Sequence, residues 1–398
     1  MPLQVLHIIN RVPWPVKDGG TLAHYNLLKG LHAAGCKVTV AALNTTKHFT
    51  PISTLPAHFT DLCTLHTTPI DNRVKPVDAV LNLFTRESYN IKRFISVAFQ
   101  EQLIQLVTQT PFDIILFDGL FIAPYLDEVR KHSKARIILR QHNTEYKVWE
   151  TLATHTRQPL KKWYINLLAS RLKQFETSVL NKADALITLT AQDEAEMRAL
   201  GCIKPILVSP VGVEFNPQPA GTPALPKSVF HIGAMDWMPN VQAMEWFLNK
   251  VWPLVVAQHP DAVFYMAGKK MPDSFNSHQS AHTQIVGEVA DAQAFMADKQ
   301  LMVVPLFAGS GIRVKILEGM SMGKTIVSTT LGVQGIGGQT NQHYAIADTA
   351  TDFAQTIINL LNNPAQAQQM GKQAREFCSN TFDNNKVTHN ILQFVANL

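Results

Sequence analysis

Two kinds of segment alternate along this chain, and that alternation restricts the fold more than any other feature. Residues 3–9, 37–43, 113–117, 136–139 and 184–189 are short runs rich in Val, Ile and Leu, the pattern of strands covered on both faces. Longer segments with helical spacing, 22–34, 91–108 and 160–181, separate them. Such alternation predicts right-handed βαβ units and an open, doubly wound α/β sheet. After residue 207 five prolines (Pro210, Pro217, Pro219, Pro223, Pro226) fall within seventeen residues, which excludes helix and central strand and predicts a linker. The alternation restarts at 229–233, 262–267, 284–287, 301–305 and 325–328, with helical segments at 351–362, 365–380 and 385–396. The expected organisation is two doubly wound, Rossmann-like domains over 1–208 and 228–381, joined by a proline-rich linker over 209–227. A final helix, 382–398, covers the second sheet or crosses back to the first. Ligands of such sheets bind at the carboxyl ends of the strands. Two such domains facing each other across a linker predict a deep cleft, with the prolines near residue 215 as its hinge.

Composition narrows the function classes. With 398 residues, 46% of them hydrophobic and 16% charged, the chain is neither disordered nor too short for two cores. Thirty-five basic against thirty acidic residues, a formal +5, is too mild a balance for a nucleic-acid binder. The most apolar stretch, 301–312, is broken by Pro305, Gly309 and Gly311, so no transmembrane helix is expected. No cationic region precedes the first apolar run, which argues against a secretory leader. Cys36, Cys63, Cys202 and Cys378 lie far apart with no C-x-x-C pair, which fits a reducing compartment and offers neither a disulfide framework nor a metal knuckle. A cytoplasmic location follows as the expectation.

The strongest local signal runs from Pro305 to Gly323. A buried strand ends, a Gly309-Ser310-Gly311 turn follows, and an apolar-periodic helix continues through Ile312, Ile316, Leu317 and Met320. Glycines let backbone approach a ligand closely, and amides at a helix start favour a phosphate. Arg313 and Lys315 can neutralise a diphosphate. Glu318 lies seven residues past Gly311, roughly 10 Å along a helix, which is about the reach from a diphosphate to its ribose. The competing reading makes Lys315 and Glu318 an ordinary i,i+3 surface pair. Gly323-Lys324-Thr325 imitates a phosphate-binding Walker loop but is one residue short and stands between helix and strand in the wrong order.

Other candidates also sit at strand ends. Gly19 and Gly20 open a helix where an anion or sugar could enter, or they merely turn the chain while Asp18 or Thr21 caps it. Arg140-Gln141-His142-Asn143-Thr144-Glu145 follows a buried strand, and His142 is the candidate for polar work on a sugar hydroxyl, against a structural histidine. Asp118 has the same placement and either serves the chemistry or caps a helix. Gly233 and Gly287 end strands of the second domain, and Trp237 packs or stacks nearby. The basic stretch 157–175, with Trp163 and Tyr164 in it, offers a peripheral contact with anionic membrane, although a half-buried domain helix is the commoner explanation.

The order of these elements, from Gly19-Gly20 through His142, Val211-Gly212-Val213, Gly233 to Asn240 and the 305–318 element, closely resembles the GT-B retaining glycosyltransferases of the group 1 type, family GT4. The resemblance spans essentially the whole chain. It implies two Rossmann-like domains, the second holding a nucleotide-diphosphate sugar and the first a glycan or lipid-linked acceptor. Glu318 would hold the donor ribose; Gly309, Ser310, Gly311, Arg313 and Lys315 would face the diphosphate or sugar. Gly19 and Gly20 would close over the phosphates, and His142 would touch the transferred sugar or acceptor hydroxyl. Many relatives carry a glutamate where this chain has Ser310, and an Arg and Lys where it has Met235, Asp236 and Asn240, so Arg313 and Lys315 would substitute. The nucleotide sugar is a substrate, so no cofactor is expected, and with no Asp-x-Asp in the chain no metal either. A nucleotide-sugar 2-epimerase and a non-catalytic nucleotide-sugar-binding partner protein are the competing functions. A dinucleotide-dependent oxidoreductase is disfavoured because G-x-G-x-x-G is missing at the first strand end.

Overall fold

The computed structural model describes residues 2–398 apart from Lys17, His155, Arg157, 216–224 and Ser310. The chain divides into two compact units, Met1–Gly212 with Asn384–Leu398, and Val213–Asp383. It passes from the first unit to the second after Gly212 and returns after Asp383, so residues 209–212 belong to the first unit. Pro217, Pro219 and Pro223 of the expected linker lie outside the described residues.

The first unit is built on β1 (Gln4–Ile9), β2 (Lys37–Thr45), β3 (Thr64–Ile70), β4 (Ile114–Asp118), β5 (Arg136–Gln141), β6 (Ala185–Thr188) and β7 (Ile206–Val208). They form a parallel sheet in the order β3-β2-β1-β4-β5-β6-β7. Alternate side chains of β1 leave the sheet on opposite faces. Leu6 and Ile8 join a core with Phe99, Leu103 and Leu172. Val5 and Ile9 pack instead with Leu27, Leu28 and Leu31 of the helix Gly19–Ala33 and with Val387, Ile391 and Val395 of the last helix, Asn384–Ala396. Both faces are covered, which is why the central strands carry near-continuous apolar runs. The last helix is tied to this unit by Arg136 Nη1, which donates to the Val395 carbonyl (2.7 Å), and by Asn384 Nδ2, which donates to that of Asn26 (2.7 Å).

The helix expected over 91–108 is in fact two, Tyr89–Lys92 and Val97–Gln109, because Ser96 caps the second by accepting from the Phe99 amide (3.3 Å). Two strands of this unit absent from the sequence reading, β3 and β7, are edge strands that are largely only partly buried.

The second unit repeats the plan with β8 (Ser228–Ile232), β9 (Val263–Ala267), β10 (Thr283–Gly287), β11 (Leu301–Val304), β12 (Thr325–Ser328) and β13 (Ala345–Ile346), in the order β10-β9-β8-β11-β12-β13. All of its pairs are parallel. In each sheet the strand order reverses beside the first strand, between β1 and β4 and between β8 and β11. That is where a doubly wound sheet opens a crevice at its carboxyl edge. Among the described residues no helix is long and apolar enough to cross a membrane.

Candidate functional site

Strand parity assembles the polar cluster of the first unit. His7 lies between Val5 and Ile9 on β1, Asp118 continues the Ile114–Leu116 face of β4, and Arg140 continues that of Ile138 on β5. All three side chains therefore leave the sheet toward the helix Gly19–Ala33, which contributes His24. Register completes the arrangement, since Asp118 lies opposite Ile9 on one side and Arg140 on the other.

Asp118 is the hub. It accepts from His7 Nε2 (2.8 Å), His24 Nδ1 (2.7 Å), His142 Nε2 (2.6 Å) and Arg140 Nη1 (3.1 Å to each oxygen). Burial pushes its carboxyl up, but Arg140, His24 and His142 outweigh that and hold it well below the usual range. With no exposed surface and both oxygens engaged, Asp118 reaches no substrate and caps no helix. The expectation of direct chemistry there is corrected to a positioning role.

An ionised carboxylate only accepts, so each imidazole nitrogen facing Asp118 carries a hydrogen. Burial lowers His24 to about 3 and lowers His142 as well, with Asp118 offsetting only part of it, so both rings are neutral near pH 7. His142 thereby presents Nδ1 as an acceptor, and its side chain is 17% exposed, the outermost part of the cluster. The His24 and His142 rings lie 4.8 Å apart. His7 and His24 with Asp118 also form a trio of metal-ligand type. The two histidine nitrogens that face Asp118 already meet its carboxylate at hydrogen-bond distance, and Arg140 supplies the positive charge a cation would bring, so these residues fit a hydrogen-bonded hub better than a metal site.

At the start of the helix, Asp18 caps by accepting from the amides of Gly20 (3.1 Å) and Thr21 (3.0 Å), and Thr21 Oγ1 accepts from the Asp18 amide (3.2 Å). The amide of Gly20 is thus engaged by the chain itself, a correction to its reading as an anion donor; Gly19 is the first helical residue. Arg11 grips Asp18 with both terminal nitrogens (2.6 and 3.0 Å) and fills the space that a side chain at residue 20 would need. Nearby, Glu176 accepts from the amides of Glu145 and Tyr146 (3.3 Å each) at the start of the helix Glu145–Thr154. Burial raises Glu145 to about 7 and Glu176 to about 8.

In the second unit, the loop after β11 brings Arg313, Lys315 and Glu318 to the β8/β11 crevice at the start of the helix Val314–Ser321. Gly309 (φ +113°) and Gly311 (φ +77°) take left-handed conformations that other residues rarely adopt. A side chain at 309 would also strike the Trp237 ring, 2.7 Å away. Arg313 is the N-cap; its guanidinium lies 5.7 Å from the centre of the Trp237 ring, and Nη1 donates to the Gly311 carbonyl. Burial lowers Arg313 to about 10. Ser310 lies outside the described residues.

Lys315 is held by residues far away in sequence. Its Nζ donates to Asn240 Oδ1 (2.8 Å) and lies 3.4 Å from His231 Nε2, while His231 Nδ1 meets the Val303 carbonyl across the β8/β11 crevice (2.8 Å). Gly233 makes this possible, since a Cβ there would stand 2.7 Å from Lys315 Nζ and 2.9 Å from Asn240 Nδ2. Burial, with Arg313 adding to it, brings Lys315 down to about 7. Glu318 does not pair with Lys315. Its half-buried carboxylate has no ion-pair or hydrogen-bond partner among the described residues, and burial alone raises it to about 7. Gly287 ends β10 at φ +77°, and its carbonyl accepts from the Gly268 amide (2.8 Å). Lys324 of the Walker-like stretch is spent on the carbonyls of Ala297 (2.7 Å) and Lys299 (2.8 Å).

Sequence reasoning missed His7, His24 and Arg11 in the first unit and undervalued Arg140. In the second it missed His231 and read Asn240 only as a departure from a family pattern. A histidine inside an apolar strand, as at His7 and His231, was the available signal.

Residues 18–216 match the family model described as Glycosyltransferase Family 4, and residues 226–363 the model described as Glycosyl transferases group 1. An uncharacterised 44.6 kDa protein in the cps region of Klebsiella pneumoniae is 23% identical over 308 residues, 75% of this chain and 78% of that protein. The solved sucrose-phosphate synthase of Thermosynechococcus elongatus superposes with a TM-score of 0.71 at 15% identity, covering 99% of this chain and 98% of its own. HepE of Anabaena, solved in complex with UDP and glucose, superposes with a TM-score of 0.65 at 12% identity over 99% of both chains. At these identities the likeness to solved structures is one of fold.

Proposed function

This chain belongs to glycosyltransferase family 4, of the group 1 type, and on that premise we propose that it moves a sugar from a nucleotide-diphosphate sugar to a hydroxyl acceptor with retention of anomeric configuration. The observation that carries the donor assignment is the occurrence of an unpartnered carboxylate, Glu318, three and five residues after two buried basic side chains, Lys315 and Arg313. A buried carboxylate without a partner is costly, and a nucleoside diphosphate brings hydroxyls to Glu318 and negative charge to Arg313 and Lys315. Ribose hydroxyls donate to Glu318. The diphosphate takes Arg313 and Lys315, with the left-handed turn at Gly309 and Gly311 letting backbone come close. HepE, solved with UDP and glucose, supports a uridine nucleotide as the first donor to try.

In a retaining transfer of this kind the acceptor hydroxyl attacks on the face the diphosphate leaves, and a leaving phosphate oxygen takes the proton. The protein then supplies charge stabilisation and orientation. Arg313 and Lys315 meet the charge that grows on the leaving group. His142, neutral and oriented by Asp118, accepts through Nδ1 from a hydroxyl of the transferred sugar or of the acceptor. The acceptor is a glycan or lipid-linked hydroxyl, and no metal enters the scheme.

The test is a thermal-shift panel of UDP, GDP, ADP and their sugars, followed by NMR of the product's anomeric centre with the donor that binds. Retained configuration and activity unchanged in EDTA are expected. An inverted product overturns retention, and loss of activity in EDTA that manganese restores overturns the metal-free scheme. Sugar epimerised without an acceptor would mark a 2-epimerase, and binding with neither transfer nor slow hydrolysis a non-catalytic partner.

A further inference from the structure

The helix Pro76–Asn82 is built inside out. Val77, Val80, Leu81 and, just past its end, Phe84 recur at i, i+3, i+4 and i+7, the spacing of a stripe that a helix normally buries. Here the stripe faces solvent, with exposures of 69%, 56%, 60% and 86%, whereas the polar Asn82 is buried. Both ends of the helix are fastened in that orientation. The Lys75 amide donates to the Tyr89 hydroxyl (3.0 Å) at one end. At the other, Arg171 of the helix Pro159–Val179 donates to the carbonyls of Asn82 (2.8 Å) and Leu83 (3.1 Å).

The helix that fastens it adds to the same kind of surface. Leu160 and Trp163, in its first turns, are 85% and 59% exposed, while Ile165, Leu168 and Leu172 form its buried stripe. Cations accompany the apolar side chains. Arg86, Lys161 and Lys162 are exposed and have no ion-pair partner among the described residues. No acid occurs between Gln158 and Glu176, and Asp78 is the one acid between Arg73 and Arg86. Arg157 lies outside the described residues.

Exposed apolar side chains at helical spacing, on two segments joined by Arg171 and each with basic residues near in sequence, mark an interaction surface. Their charge decides the occupant. A second copy laid on this face would oppose Arg86, Lys161 and Lys162 to their own like. Tryptophan following two lysines, as at Lys161-Lys162-Trp163, is the composition of an interfacial anchor on anionic lipid. We propose that this face of the first unit rests on an anionic membrane surface, the 77–84 stripe and Trp163 entering the headgroup boundary and the three cations lying against lipid phosphates. The proposal does not depend on the transfer reaction, and its test uses no donor.

The experiment is co-sedimentation of the full chain with vesicles of phosphatidylcholine, with and without one-third phosphatidylglycerol, across a salt series. Binding to the anionic vesicles alone, weakened by salt, is expected. The double variant Leu81→Ser/Phe84→Ser should bind at least tenfold more weakly, and Lys161→Gln/Lys162→Gln roughly fivefold more weakly per cation. These residues are exposed, so both variants should melt with the parent. Absence of binding to anionic vesicles overturns the proposal, as does binding that neither variant changes. A chain that ignores vesicles and is dimeric until Leu81→Ser/Phe84→Ser makes it monomeric overturns it too, and assigns the face to a second copy.

Discussion

Replacing Glu318 by glutamine should make the protein more stable and bind nucleotide less well. Burial raises this carboxyl from its ordinary 4.5 to about 7, with no compensating partner among the described residues. At about 1.4 kcal/mol per pH unit, the ionised form costs the folded state about 3 kcal/mol more than the unfolded one. A group whose folded value is raised costs nothing below its unfolded value, and its cost is complete above its folded value. The penalty is therefore absent below about pH 4.5 and full above about pH 7. Glutamine keeps the shape and never ionises. In a unit of this size about 3 kcal/mol corresponds to a melting increase of roughly 6–12 °C. Calorimetry of Glu318→Gln should show that increase for the second unit at pH 8 and almost none at pH 4.5. Titration with UDP, or with the nucleotide that the panel selects, should show affinity at least tenfold lower, since each hydrogen bond to a charged acceptor contributes about 1.5–3 kcal/mol. A variant less stable than the parent at pH 8 would refute the unpartnered carboxylate. Unchanged nucleotide affinity would refute the ribose contact.

Three further outcomes follow from the same geometry. Arg313→Ala should weaken nucleoside diphosphate binding at least tenfold by calorimetry; unchanged affinity would remove it from the diphosphate site. Lys315, brought down to about 7, is charged below that pH and neutral above it, so inorganic diphosphate affinity should fall from pH 6 to 8.5 more steeply than in Lys315→Arg, and equal slopes would refute it. Asp118→Asn leaves Arg140 and three histidines around a neutral amide, and breaking such a buried charge cluster should destabilise the first unit by about 3–5 kcal/mol; a melting temperature within a degree of the parent would show that the hub is dispensable.

The candidate site was legible in unequal parts. Arg313, Lys315 and Glu318 were readable because they lie within six residues on one loop and helix start, where spacing alone implies reach. Spacing also suggested that Lys315 and Glu318 pair, and it misled there. The Lys315 amine prefers Asn240 and His231, 75 and 84 residues away, and Glu318 is left without a partner among the described residues. The stripe over 77–84 has the periodicity of a core and none of the burial. Asp118 and His142 were found by their place after buried strands, yet neither carried any sign that one carboxylate would hold three histidines and an arginine.

The sequence by itself determined the class of fold, the two-part division and the central strands and helices, because those rest on local periodicity and on apolar runs long enough to be covered on both faces. It missed the edge strands β3 and β7, which are partly exposed and so lack that continuous pattern, and β13, which is only two residues long. Only the tertiary structure decided the chemistry of the hub. Strand order sets β1, β4 and β5 side by side, pleat parity sends His7, Asp118 and Arg140 to one face, and the helix above that face delivers His24. Which groups share a buried charge, and therefore which nitrogen of His142 is left to accept a hydroxyl, depends on positions 22 to 111 residues apart meeting in space, and no local pattern encodes that meeting.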